Sequence, residues 1–338
     1  MSSDVAGPDV VGNAIALNDL DELLRLAHAF ADHGDWDDLV SLAERARRAF
    51  DSGRQLWPAS NLAEYRLALD APAEYAALVL TDDAGRFALG PLSEVAASTH
   101  TWAELAPHVV PGPVSSLAAH ERVVRGEVVD VETVSFPEVL GTPLELAPWE
   151  PVYFVPVYER DGVEEPGPDP MHGRALTLPT ELPEVVRDVD VEEAVRDLVR
   201  PWTVHSDGSA RVVCVHADAA HAVAALGVHD VRGAWVDVGE ALAVLGWAGA
   251  SGGRHHRRRG AAAGRDLAWV TAGALAGFEP GERLQARAMG EALSELRWYL
   301  WSAPDVSSGW ALRLAVEDPT DGVAWAVDAI DRDLQTAS

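Results

Sequence analysis

Lysine is absent from this chain: all 26 of its basic residues are arginine. A protein without lysine cannot form a Schiff base with pyridoxal phosphate or with a carbonyl substrate. It also cannot complete a P-loop, whose lysine reaches the nucleotide phosphates, or a protein-kinase site. The preference for arginine, alanine, valine and glycine indicates a GC-rich, bacterial coding sequence. Whatever its origin, the absence of lysine excludes several enzyme classes.

Cysteine is almost absent, since Cys214 is the single one in the chain. An intrachain disulfide and a cysteine-based zinc site are therefore excluded. Cys214 lies in an apolar run, which favours a buried core thiol over a nucleophile. The first residues are polar and acidic, unlike a signal peptide, and no apolar run is long enough to span a bilayer. We expect a cytoplasmic protein.

Positive charge is scarce, because 26 basic residues face 54 acidic ones and the formal net charge is 26 − 54 = −28. This balance opposes binding to nucleic acid and to anionic membranes, so we expect neither as a partner. Residues 251–265 are the exception, since they are basic and flanked by glycine. The basic side chains of this segment are those of Arg254, His255, His256, Arg257, Arg258, Arg259 and Arg265.

The N-terminal part of the chain shows helical periodicity. Residues 1–16 are predicted to be a flexible tail, and residues 17–160 a helical domain with a strand near 152–158. Residues 20–31 and 36–50 each carry an apolar stripe at helical spacing, and His33-Gly34 separates them. Residues 161–173 are rich in glycine and proline, which predicts a linker or loop before a second domain.

The C-terminal part, residues 174–338, is predicted to be an α/β domain. Strands over 211–216 and 231–236 alternate with helices that Asp218 and Asp237 cap. Further helices are predicted over 261–276 and 283–301, a strand over 310–316, and a final helix from Asp318-Pro319. The expected fold class is mixed α and β (α+β or α/β) and helix-rich, with a helical N-terminal part and an α/β C-terminal domain.

Three interpretations of the basic segment remain open. The segment is a solvated loop that serves solubility, a binding site for an anion or an acidic protein surface, or an interface with a second copy of this acidic chain. Arginine favours the second, because its planar fork binds phosphate and carboxylate groups bidentately. A helix that starts near Gly260 would add its free N–H groups to such a site.

A serine motif, Gly249-Ala-Ser251-Gly-Gly253, matches the Gly-x-Ser-x-Gly pattern of a nucleophile elbow. The preceding residues are helical rather than extended, and no histidine follows at a suitable distance, so a triad hydrolase is not expected. Together with Arg232-Gly233 and Asp321-Gly322, the motif resembles patatin-type lipases, although their triple-glycine loop is missing. That resemblance implies a Ser251–Asp321 catalytic dyad.

Histidines cluster between residues 205 and 256, which would matter if this region formed one cleft. Within the cluster, His216, Asp218 and His221 fall where a strand meets a helix, a spacing that a divalent metal can use. A simpler interpretation has Asp218 as a helix cap and His221 as an exposed helical residue. The six histidines of the cluster are His205, His216, His221, His229, His255 and His256.

The leading functional hypothesis is a non-catalytic binding or scaffold protein that engages an anionic small molecule or an acidic protein surface through residues 254–265, with a homo-oligomer left open. The alternative is an enzyme acting on a phosphorylated or carboxylated small molecule, with His255 or His256 as acid or base and the arginines as the clamp. Less favoured is the patatin-like hydrolase. Neither a cofactor nor a metal is expected.

Overall fold

The computed structural model describes residues 9–169, 173–304 and 310–331 of the chain. These residues divide into two compact units, each formed by several separate segments. The first unit contains residues 9–122, 129–137 and 157–164, and the second contains residues 123–128, 138–156 and 165–331 with the gaps just given. The predicted linker, 161–173, includes the last of these divisions, whereas residues 138–156 belong to the second unit rather than to an N-terminal domain.

The first unit is helical. The helices over residues 20–33 and 36–51 each bury one face, as their apolar stripes predict. Gly34 ends the first of these two helices in a left-handed conformation with φ 76°. The helices are α1 Val10–Leu17, α2 Leu20–His33, α3 Trp36–Asp51, α4 Trp57–Asp70, α5 Ala73–Ala76, α6 Leu92–Thr99, α7 Trp102–Leu105 and α8 Pro113–Val124, whose last two residues belong to the second unit.

Two predictions for the N-terminal part need correction. Residues 10–17 form helix α1, capped by Asp9, where a flexible tail is predicted; residues 1–8 lie outside the described part. The strand predicted over 152–158 is limited to a short hairpin of β1 Val157–Glu159 and β2 Gly162–Glu164. The tail prediction failed because α1 has a short apolar face, Val11 and Ala14, that only packing reveals.

The second unit combines helices with a seven-stranded sheet. Asp188, Asp218 and Asp237 cap α9, α11 and α12, each by accepting a hydrogen bond from a backbone N–H of the first turn. The helices are α9 Val189–Leu198, α10 Arg200–Val204, α11 Ala219–Ala225, α12 Val238–Ala250, α13 Ala261–Leu275 and α14 Ala286–Glu295. The strands are β3 Arg174–Ala175, β4 Val185–Val186, β5 Ser209–Val215, β6 Arg232–Val236, β7 Arg297–Ser302, β8 Ala311–Asp318 and β9 Val323–Ile330.

The strand order of this sheet is β3-β6-β7-β8-β9-β5-β4, and every adjacent pair is antiparallel. One face carries α9, α12, α13 and α14 over a core that includes Trp202, Trp247 and Trp298. The other face is covered by α11 over Val215 and Ala324. The prediction of a mixed α and β protein with helices in the N-terminal part is confirmed, and the antiparallel pairing selects α+β.

Three elements of the second unit differ from their predictions. The α/β unit predicted from the strands over 211–216 and 231–236 does not form, because β9, β8 and β7 lie between β5 and β6 and every pair of the sheet is antiparallel. The helix predicted over 283–301 is α14 followed by strand β7, and the final helix is instead strand β9. Asp318 does bond to following backbone N–H groups, those of Thr320 and Asp321, but these form the β8–β9 turn. Pairing with β8 and β5 then extends the chain.

Helices α12 and α13 pack closely because glycine lies at their contact. A Cβ on Gly264 would lie 2.3 Å from the Gly246 carbonyl oxygen, and one on Gly249 would lie 3.0 Å from the Gly264 carbonyl oxygen. These distances are shorter than van der Waals contact, so no larger residue fits without a shift. The close pair fixes both ends of the loop that connects α12 to α13.

Within the described residues, no helix combines the length and the apolar character that crossing a bilayer requires.

Candidate functional site: the loop between α12 and α13

The basic segment of the sequence lies mainly in the loop that joins α12 to α13, residues 251–260, here called the arginine loop. Hydrogen bonds hold its backbone in place. Arg259 N donates to the Ala250 carbonyl at 2.8 Å, and Gly253 N donates to Ser251 Oγ at 2.8 Å. Arg254 N donates to Asp331 Oδ2 at 2.7 Å. The loop is therefore a fixed structure.

Asp331 anchors the loop from within the protein. Its side chain is buried, and besides the Arg254 N–H it accepts a hydrogen bond from Ser206 Oγ. Gly253 has φ 67°, and a Cβ there would lie 2.5 Å from Asp331 Oδ2. Glycine is thus required at this turn both for its left-handed backbone and for the close approach of the carboxylate.

Arg265 is part of the interior rather than of a surface site. It lies on α13 and is 1 % exposed, and it forms an ion pair with Glu150, which is 0 % exposed. Its Nε donates to Glu150 Oε2 at 2.7 Å, and other guanidinium nitrogens donate to the carbonyls of Pro143 and Glu145. Burial alone raises the pKa of Glu150, but Arg265 holds that pKa below its ordinary value.

Arg258 and Arg259 also act inside the fold. Arg258 is buried and donates from Nη1 to Glu165 Oε2 at 2.9 Å. Arg259 donates to the carbonyls of Asp197 and Leu198, which caps the C-terminus of α9. Burial lowers the pKa of Arg259 to about 10, although nearby Asp197 acts in the opposite direction. A cation at a helix C-terminus also meets the negative end of the helix dipole.

The side chains of Arg254, His255 and His256 are exposed, and that of Arg257 is half-buried. His256 stacks on His205, with ring centroids 3.9 Å apart and ring planes 19° apart. Burial lowers the pKa of His256, and the charges of His205, Arg257 and Arg259 lower it further.

Arg200 is a further cation near this loop, since it lies close enough to lower the pKa of Arg259. Its side chain is exposed at the start of α10, directly after α9. The loop and α10 therefore bring one set of basic side chains together. We call this set the basic surface; it consists of Arg200, His205, Arg254, His256 and Arg257.

The N-terminus of α13 does not add an exposed anion site. The helix does begin where the sequence predicts, after Gly260, but Ala261 and Ala262 in its first turn are buried. Any attraction of the loop for an anion therefore comes from its side chains.

The structure does not bring Ser251 and Asp321 together. Ser251 is 0 % exposed at the C-terminus of α12, so no strand precedes it, and Asp321 lies exposed in the β8–β9 turn. Strand β9, eight residues long, separates Asp321 from Asp331, which contacts the arginine loop. That strand spans about 26 Å, far beyond a hydrogen bond. The glycine of the motif, Gly249, serves the contact between α12 and α13.

The other histidines of the sequence cluster lie elsewhere. His216 follows the C-terminal end of β5, a strand that spans about 23 Å and starts just after His205. Asp218 caps α11 and contacts His221 Nδ1 at 2.7 Å. Across the described residues, no group of three histidine, cysteine or acidic side chains is arranged to hold a metal ion.

Sequence reasoning missed three residues that shape the basic surface or its support: Arg200, Asp331 and Glu150. Arg200 and Asp331 are far from the arginine loop in sequence, and no local pattern marks either of them. His205 was included in the histidine cluster, but its stacking on His256 depends on the fold. The buried partner of Arg265, Glu150, lies 115 residues away along the chain.

The chain belongs to a protein family defined by its sequence: residues 21–333 match the model of a family of unknown function, DUF6183. No curated protein and no solved structure shows significant similarity to it.

Proposed function

We propose that this protein is a non-catalytic binding protein that holds an anionic group, a phosphate, sulfate or carboxylate, at the basic surface. The observation that carries the proposal is the stacked pair of His205 and His256. Burial lowers the pKa of His256, and the neighbouring charges of His205, Arg257 and Arg259 lower it further. A cluster of basic side chains in a chain of net charge −28 favours an anion at that place.

The ligand chemistry follows from the side chains. Guanidinium groups bind phosphate and carboxylate oxygens through paired N–H donors, and a protonated imidazole adds a further donor and charge. A small anionic molecule and an acidic segment of a partner protein, including a second copy of this acidic chain, present the same group. Experiments must therefore distinguish a small anionic molecule from an acidic protein segment.

The arginines that we expect to bind the anion are not the whole set of the sequence segment. Arg258, Arg259 and Arg265 contact carboxylates or carbonyls of the protein itself, so replacing them would damage the fold as well as the site. Arg200 and Arg254 are exposed and belong to the basic surface. Circular dichroism checks that a variant in these two positions keeps its fold.

A thermal-shift measurement tests the proposal. Sulfate is added at constant ionic strength, with sodium chloride as the balance. We expect sulfate at ten times its Kd to stabilise the folded protein by about 1.4 kcal/mol, which raises Tm by roughly 2–4 °C. The double variant Arg200→Gln, Arg254→Gln should lose this shift, while Arg287→Gln, an exposed arginine on α14, should keep it.

The same shift in the double variant and in the wild type would mean that sulfate binds elsewhere, and the proposal would be wrong. The two sources of the anion are distinguished by size-exclusion chromatography with light scattering. Association that increases with protein concentration, and that sulfate reverses, indicates a second copy of the chain. A monomer that binds sulfate indicates a free anion or another partner.

An enzyme acting on a phosphorylated or carboxylated small molecule is the alternative. One observation favours it: burial and the neighbouring arginines lower the pKa of His256, which is the direction that a general base beside an anion clamp requires. Hydrolysis of para-nitrophenyl phosphate that is lost in His256→Asn would support the enzyme. No turnover, with the sulfate shift present, would leave the binding protein as the only proposal of the two.

A further inference from the structure

One edge of the seven-stranded sheet is only partly covered. Strand β4 is two residues long and pairs with Cys214 and Val215 at the end of β5. Residues 209–213 of β5 have a strand partner in β9 on one side. On the other side, no strand pairs with them within the described residues.

The register shows which backbone groups of β5 point to that edge. Asp331 N donates to the Trp310 carbonyl, so residues of β9 at odd positions direct their backbone groups toward β8. Asp328 therefore directs its N–H and C=O toward β5, where it faces Arg211. Since hydrogen-bonded and non-hydrogen-bonded pairs alternate in an antiparallel ladder, Arg211 bonds to β9 and its two neighbours point away.

Those two neighbours, Ala210 and Val212, direct two N–H and two C=O groups to the open edge. In the part of the chain that the structure describes, no hydrogen bond reaches any of these four groups. Gly208, two residues before Ala210, also directs its backbone groups to this side, and it donates its N–H to the Trp202 carbonyl. The four groups form a regular template for one further strand.

A groove lies over this template. Its volume is about 450 Å³, and its walls are the outer edge of β5, helix α9 and the C-terminal end of α11. Ala210 and Val212 pack on the side of α9, and Val213 packs on the side of α11. A strand that enters the groove would therefore lie between two helices, with alternate side chains facing each of them.

The groove is positively charged. Arg196 and Arg211 line it together with one carboxylate, that of Glu192. Glu192 is shared between two arginines, and so is Asp328, the partner of Arg211. The side chains that line the groove therefore carry a net charge of 2 − 1 = +1.

We propose that this groove binds an extended, acidic segment of a partner protein as an added β-strand along β5. The backbone of the segment pairs with Ala210 and Val212, and its acidic side chains reach Arg196 on one face and Arg211 on the other. Backbone pairing provides affinity in this mode of recognition, and the charges select the segment. The β5 edge of a second copy is recessed between its own helices, so two such edges do not meet.

Fluorescence anisotropy tests the proposal with a labelled heptapeptide of valine and glutamate in the order Val-Glu-Glu-Val-Glu-Glu-Val, which places glutamate on both faces of a strand. We expect saturable binding, and we expect the same peptide to lose it when each amide nitrogen is methylated, because its charge is kept and its donors are removed. Val212→Pro removes the N–H that Val212 directs to the open edge. It removes no hydrogen bond to β9, which is why proline is tolerated at a sheet edge. This variant should keep its fold, measured by circular dichroism, and weaken binding by about tenfold, the loss of one hydrogen bond.

Two further variants keep the test decisive if Val212→Pro does not fold. Arg196→Glu should weaken binding of the acidic peptide and strengthen binding of a valine–lysine peptide, whereas Arg287→Glu on α14 should change neither. The proposal would be overturned if the methylated peptide bound as tightly as the unmethylated one, or if Arg196→Glu bound the acidic peptide as tightly as the wild type. Dimerisation through this edge would also overturn it. The double variant Arg200→Gln, Arg254→Gln should bind the peptide normally, because the groove does not depend on the basic surface.

Discussion

At the residue scale, the fold gives the same side chain different roles. Arg265 is locked to Glu150 in the core, Arg259 caps α9, and Arg254 and Arg200 face solvent. The sequence shows the five arginines of the segment as one group, because it does not show which carboxylate or carbonyl lies opposite each of them. The candidate site could therefore be predicted as a segment but not as a set of residues.

Arg265→Met should destabilise the protein strongly. The change leaves the carboxylate of Glu150 buried without its cation, and breaking such a pair costs about 3–5 kcal/mol. Urea unfolding followed by circular dichroism measures the change in the free energy of unfolding. Arg287→Met removes an exposed ion pair with Glu291 and should cost no more than about 1 kcal/mol. Equal losses in the two variants would show that the buried pair is not structural.

At the element scale, local sequence signals predicted where helices start, whereas pairing between distant segments decided which segments became strands. The capping residues Asp218 and Asp237 act as predicted, because a cap depends on residues three positions away. Strand β9 was predicted as a helix, since Asp318-Pro319 fits both a helix start and a turn. Its alanine-rich sequence becomes a strand because β8 and β5 bond to it on both sides.

Gly264→Ala tests the close contact of α12 and α13, which positions the arginine loop. Alanine has the higher helix propensity by about 1 kcal/mol, but its Cβ would lie 2.3 Å from the Gly246 carbonyl oxygen. We expect a net loss of about 2 kcal/mol in the free energy of unfolding, typical of overpacking. Gly273→Ala on the same helix meets the ends of two flexible side chains, those of Leu284 and Met289, and should be neutral or stabilising. A stabilised Gly264→Ala would contradict the contact.

At the scale of the whole molecule, a net charge of −28 surrounds a small basic surface. The overall negative field opposes nucleic acid, so the absence of such a partner stays a prediction that a gel-shift assay at physiological salt can check. The spacing of apolar residues predicted the mixed fold, and the clustering of arginines in one segment predicted the charge contrast, because both patterns can be read along the chain. The pairing of His205 with His256 was not predictable, since it depends on where α10 and the arginine loop meet.

The measurement that tests the central claim most directly is an NMR titration of the histidine rings with and without sulfate, whose charge is constant over the range from pH 8 to pH 5. The pKa of His256 lies below its ordinary value, so an anion at the basic surface should raise it. By linkage, sulfate affinity should then increase as pH falls through that pKa. His33, bonded to the Ala29 carbonyl in the first unit, serves as the control. A rise in the pKa of His256 that is absent for His33 is the predicted result; identical titration curves for His256 with and without sulfate would contradict it.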